Sequence, residues 1–434
     1  MSVREALPPP WLLAVTVLGG LLAGVVYALA GGAPEEAVPV PVPVAPSPPP
    51  APAFSIPGAP PPEIARDLEP VLRDAFRPGR EEPEVQAARE AAFERLKALV
   101  GKWAAASPRD PLASAPWWRA ALRGAQPTGE GDRRGMMGGA IPWLGRPFPV
   151  LFSVPEGPGP FPAVVALVDG EPYAEAERGW KGLLATHILA LVPRPGPVAS
   201  DPRLAMLALS EAGRRWGVDR DRVVLDGTGG AAEAVAALAA EESRRLCGVV
   251  LRGPHPPAGP SENLALLPVL AALPEGASAE AEAAIRDACP SATVRRGASA
   301  ADVAEWIASL PPRRSADPRE PVIWATTTGE QYKSWGPGFV VRRYRGTGAG
   351  RPVRVSLQRD AERNAVILRT ENVAEIVLLL TDEGLDLDRP VTVIAEGEAV
   401  EARKVGRSLD TLRTWALQEP GLLVTAEMVV RLPE

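Results

Sequence analysis

The chain has 434 residues, 46% of them apolar and 23% charged, with a formal net charge of −6. A mildly acidic chain without a basic tract gives no electrostatic footprint for nucleic acid or for anionic headgroups. Two histidines, His187 and His255, are the whole imidazole supply, and two cysteines, Cys247 and Cys289, the whole thiol supply. Both cysteines sit in apolar or helical contexts and read as core residues, with a disulfide as the alternative.

From Trp11 to Ala30 the only polar side chain is Thr16. At about 1.5 Å per residue, such a run spans a hydrocarbon core of about 30 Å. Arg4 before it and Glu35-Glu36 after it orient the N-terminus toward the cytoplasm. The expectation is a single-pass anchor over residues 1–32, with the globular part outside the cytoplasm. A cleaved signal peptide ending at Ala28-Leu29-Ala30 is the alternative. Residues 33–62 are proline-rich, and proline fixes φ and removes donors, so they read as an extended spacer.

Helical spacing covers the stretch from Glu63 to Phe76, with Leu68, Val71 and Leu72 on one stripe. It returns from Pro83 to Ala106, with Phe93, Leu96, Val100 and Trp103. Residues 63–145 are therefore expected to be a helical region, standing alone or packed on the next domain. The glycine-rich, charged stretch from Gln126 to Gly139 reads as loop.

Over residues 146–312 short β-rich runs alternate with helical ones, which predicts a doubly wound, mostly parallel sheet with helices on both faces. The strands are expected at 149–154, 163–168, 187–192, 222–225, 247–251, 266–271 and 293–296. His187 is placed at a partly exposed strand end. Residues 313–434 read as a small β-rich module, a sandwich or a sheet with one helix at 408–417. Asp382, Asp386 and Asp388 carry the composition of a calcium loop, and a turn beside a strand explains them equally well.

Three segments carry a family resemblance: Phe161-Pro-Ala-Val-Val-Ala-Leu-Val-Asp-Gly170, Trp216-Gly-Val-Asp-Arg-Asp-Arg-Val-Val-Leu225 and Gly227-Thr-Gly-Gly-Ala-Ala232. Together they resemble the dienelactone-hydrolase, esterase and prolyl-oligopeptidase branch of the α/β-hydrolase fold. The resemblance implies a Gly-x-Ser-x-Gly elbow, then an acid, then a histidine. At the elbow, Thr228 takes the serine position in the preferred register, with Asp226 replacing the first glycine. In the other register Gly229 stands there. A threonine capping the next helix is the plain structural alternative. Glu275 is the one acid near the implied position. The segment implied to hold the base, Gly297-Ala-Ser-Ala-Ala-Asp302, has no histidine. His255, between Pro254 and Pro256, is the imidazole that topology brings nearest to Thr228. Asp169-Gly-Glu-Pro172 replaces the backbone donors of an oxyanion hole with a carboxylate and a proline. Neither a metal constellation nor a phosphate loop is present, and no cofactor is expected. The expectation is a membrane-anchored pseudoenzyme that binds a protein or small molecule, with Thr228, Gly229, His255, Asp169 and Glu275 as remnants of a site. The other class is an active ester or peptide hydrolase with Thr228 as nucleophile.

Overall fold

The computed structural model describes residues 59–76, 83–125, 134–143, 145–157, 159–168, 179–193, 201, 203–253, 261–313, 322–327, 335–336, 338–346, 350–418 and 422–433. The expected anchor from Trp11 to Ala30 and the proline-rich spacer before residue 59 lie outside them. Among the described residues, no helix is long and apolar enough to cross a membrane.

The first described elements are helices α1 (Pro62–Ala75), α2 (Pro83–Ala106) and α3 (Ala115–Gly124). Proline opens α1 and α2, where its missing N–H is no loss. Leu68, Leu72, Phe93, Leu96, Trp103 and Trp118 close one buried core. Trp103, Trp117 and Trp118 stack edge-on or offset within it.

Next come β1 (Gly135–Trp143), β2 (Arg146–Val154), β3 (Phe161–Val168), β4 (Ile188–Pro193), α4 (Arg203–Trp216), β5 (Val218–Thr228) and α5 (Ala231–Glu241). They are followed by β6 (Gly248–Arg252), α6 (Ser261–Leu264), β7 (Val269–Leu273), α7 (Ala279–Ala288), β8 (Thr293–Arg296) and α8 (Ala300–Ser309). The eight strands form one sheet in the order β1-β2-β4-β3-β5-β6-β7-β8. β2 runs antiparallel to β1 and β4; the remaining pairings are parallel. β3 is buried along nearly its whole length on both faces, as a central parallel strand must be. One face packs Val223, Leu225, Val249 and Leu251 against α4 and α5. The other packs Val164, Val224 and Val250 against α8 and the single turn Lys181–Leu183. β3, β5 and β6 are parallel neighbours, as the alternation implies.

Two expectations are corrected here. The stretch read as loop up to Gly139 contains most of β1, paired residue for residue with β2. Gly139 serves that pairing: a Cβ there would lie 2.9 Å from the Phe152 ring. His187 is buried, at 8% exposure, rather than partly exposed. Cys247 and Cys289 are buried free thiols.

The C-terminal strands are β9 (Val322–Thr327), β10 (Trp335–Gly336), β11 (Phe339–Tyr344), β12 (Pro352–Asp360), β13 (Ala365–Glu371) and β14 (Val373–Leu380). β15 (Val391–Ala395), β16 (Glu398–Arg403), helix α9 (Leu409–Gln418) and β17 (Ala426–Arg431) complete them. They form two sheets, β10-β11-β14-β17 and β16-β15-β13-β12-β9, whose inward residues share one core. α9 belongs elsewhere: Leu412, Ala416 and the following Leu423 join the core of α1–α3. The N-terminal helices thus close on the end of the chain, and Arg413–Glu90 and Lys97–Asp410 pairs border that contact.

The acidic residues with the composition of a calcium loop have a different partner. Arg407, with its side chain 4% exposed, donates Nε to Asp382 at 2.8 Å and Nη1 to Asp388 at 2.8 Å. Asp110, from the segment before α3, lies 3.5 Å away. Asp386 instead accepts the Asp388 backbone N–H, as a turn residue does. Among the described residues, no group of acids, histidines or cysteines is arranged to hold a metal ion. Removing one partner of a buried pair leaves the other charge uncompensated. Arg407→Leu is therefore expected to cost about 3 kcal/mol in denaturant unfolding, and adding Asp382→Leu to recover much of that loss.

Candidate functional site

The carboxyl end of the central strands is where an open α/β sheet presents ligand crevices. β5 reaches that edge as Val-Val-Leu-Asp226-Gly-Thr228 and turns through Gly229 and Gly230 into α5. The turn is fixed by contact between strand and helix. A Cβ on Gly227 would lie 2.8 Å from the Ala232 Cα and 2.8 Å from the Val235 Cβ, so only glycine lets α5 sit this close. The left-handed backbone of the turn falls on Gly229, with φ of 61°, while Thr228 stays out of that region. The Gly229 N–H donates to the Arg252 carbonyl at 2.8 Å, tying the turn to the end of β6.

Asp226 alternates to the same face as Val224, beneath α8, and is fully buried. A carboxylate removed from water needs a partner, and Arg252 supplies it from β6. Its Nη2 donates to Oδ2 at 2.7 Å, and its Nε lies 3.0 Å and 3.1 Å from the two oxygens. The guanidinium lies over the Trp180 ring, 4.6 Å from its centroid. Arg252 and Trp180 escaped the sequence reading, although the signal was present. Val-Val-Leu-Asp226 and Val-Val-Leu-Arg252 are matching apolar strand ends that finish in opposite charges.

The expected site residues do not assemble into a triad among the described residues. The Thr228 Oγ1 is buried and has no hydrogen-bond partner there. Glu275 follows β7 at the same edge of the sheet, exposed, with its Cβ and Cγ against Gly297. Where a base is implied, Ser299 and Asp302 form a capping box that starts α8. Asp169 and His255 lie outside the described residues. His187 precedes β4, at the amino edge and so opposite the elbow. Its Nδ1 is 2.8 Å from the Thr186 hydroxyl. Burial, then the nearby Arg222 charge, holds its pKa down at about 4. Burial likewise pushes the Cys247 thiol up to about 12, so it is no nucleophile at neutral pH.

This geometry sets two expected outcomes. Gly227→Ala forces strand and helix apart and is expected to lower stability by about 1–3 kcal/mol in denaturant unfolding. An imidazole of ordinary pKa 6.5 in the unfolded chain and about 4 in the fold binds its proton more tightly when unfolded. Stability should thus hold above pH 6.5 and fall as the pH drops toward 4. His187→Asn should flatten that part of a curve of unfolding free energy against pH.

No protein-family model matches the chain, and no curated protein matches it. Solved structures with similar chains include a thermostable esterase, at 13% identity and a TM-score of 0.30 over 37% of this chain. The match spans about half of that esterase, 54% of its length. The 2,6-dihydroxy-pseudo-oxynicotine hydrolase is 13% identical, with a TM-score of 0.35, over 57% of this chain and 86% of its own. An esterase from Pyrobaculum calidifontis is 13% identical, with a TM-score of 0.32, over 50% of this chain and 96% of its own. The sheet itself makes the assignment: the order β1-β2-β4-β3-β5-β6-β7-β8, antiparallel only at β2, with a strand–turn–helix elbow at β5, is the α/β-hydrolase fold.

Proposed function

We propose that this α/β-hydrolase body is a binding or scaffold module without hydrolytic chemistry, carried outside the cytoplasm by an anchor from Trp11 to Ala30. The observation that carries the reading is the glycine at the elbow. In this fold the nucleophile stands on the strained residue of the strand-to-helix turn. Here the left-handed residue is Gly229, and the helix-contacting glycine two residues earlier is Gly227. That spacing supports the register in which Gly229 replaces serine, not the one that gives the position to Thr228. A glycine has no atom to attack a carbonyl.

The electrostatics support the same reading. A hydroxyl nucleophile needs an imidazole within about 2.6–3.2 Å, and the Thr228 hydroxyl has no partner among the described residues. One of the two histidines, His187, is at the far edge and is kept neutral by burial. In place of a triad, the edge holds the Asp226–Arg252 pair, which is an internal structural contact rather than a proton relay.

The test is catalytic. The purified chain is expected to hydrolyse p-nitrophenyl acetate no faster than a heat-denatured control, and to stay unlabelled by a fluorophosphonate probe. Thr228→Ala and His255→Ala should change neither result. Turnover above background that either substitution abolishes would establish the hydrolase instead.

A further inference from the structure

Sheet edges expose unpaired N–H and C=O groups, and natural proteins blunt them with charge, proline, bulges, short length or a covering element. Most edges of this protein follow that rule. β8 is short and carries Arg295 and Arg296. β16 carries Glu398, Glu401 and Arg403. β17 carries Glu427 and Arg431, and β10 has two residues. β9 is occupied by Asn263, whose amide donates to the Ala325 carbonyl and accepts the Ala325 N–H.

β1 breaks the rule. Gly-Met-Met-Gly-Gly-Ala-Ile-Pro-Trp is the outermost strand of the eight-stranded sheet and has no charged residue. Its register with β2 is unbroken from Gly135 to Trp143, so no bulge twists it away. Ile141 packs inward, with Met137 and Trp143 partly buried against the core, whereas Met136, Gly138, Ala140 and Pro142 are exposed. Met136 is one of two exposed large apolar side chains among the described residues, at 41%. Among the described residues, Pro142, near the end, is the single blunting device.

We propose that β1 pairs antiparallel with β1 of a second copy of this chain across a twofold axis, joining two sheets into one. The occupant follows from the charge and the side chains. A chain of net charge −6 meets its own copy with least repulsion along an uncharged strand. The exposed positions Gly138 and Ala140 offer almost no side chain with which to read a foreign sequence. A twofold contact needs no such reading, because the same patch is presented from both sides. Backbone hydrogen bonds then supply the contact and the pleat fixes the register.

The test is the mass of the full-length chain in mild detergent, by light scattering over a concentration series. The wild type is expected to rise to twice the chain mass. Met136→Lys with Ala140→Lys, both at exposed positions, sets like charges across the axis and should hold the mass at one chain with unchanged circular dichroism. Thr293→Lys, on the opposite edge, should leave the doubling intact. Hydrogen exchange of residues 135–143 should slow as the wild-type concentration rises. A wild type that stays at one chain mass overturns the proposal. So does a dimer that survives the lysine pair, or an added mass that proves to be a different polypeptide.

Discussion

The arrangement hangs on β5, which carries an ionic anchor at each end. Near its amino end Asp221, with its side chain 9% exposed, binds Arg123 from α3 and lies 3.5 Å from Arg313 of the segment after α8. Arg313 also donates to the Arg244 carbonyl at 2.8 Å. At the carboxyl end Asp226 binds Arg252 under Trp180. One strand therefore joins the N-terminal helices to the sheet, holds the segment by which the chain leaves it, and ties its own carboxyl end to β6. Each buried carboxylate would cost several kcal/mol without its guanidinium. These pairs fix relative position more than they add net stability.

The elbow keeps the strand–turn–helix packing of an α/β-hydrolase. Gly227 still admits α5 against the strand, and Gly229 still makes the left-handed step. Those features belong to backbone geometry, which the fold needs whether or not a reaction occurs. Beside them, this edge of the sheet holds the Asp226–Arg252 pair and the Ser299–Asp302 capping box.

Much of the parallel body was readable because its strands are apolar runs punctuated by glycine and proline. β3 ends, and β8 begins and ends, where the pattern put them. What escaped were features decided by packing against a partner strand or by burial, which the letters of one segment do not show. β1 hides in a glycine-rich stretch whose Gly139 makes sense only against Phe152. β16 comes directly after Glu396-Gly397 and is short and charged, so it carries little of the apolar pattern of a strand. His187 looked exposed because a strand end usually is, and the fold buries it. The elbow register could not be chosen from letters, since Asp-Gly-Thr-Gly-Gly fits two frames, and neither the φ of Gly229 nor the closeness of α5 is written in them.

The core of α1–α3 includes Leu412, Ala416 and Leu423. A chain synthesised from its N-terminus makes these helices first and their last partners almost at the end. Through all the intervening synthesis this core lacks Leu412, Ala416 and Leu423, although α1, α2 and α3 already pack on one another. Non-local closure of this kind is slow, and an apolar face left open is prone to aggregate. The sheet can form in the meantime, since its strands are contiguous in sequence. The helical region is thus completed only when the end of the chain arrives, long after its own helices have been made.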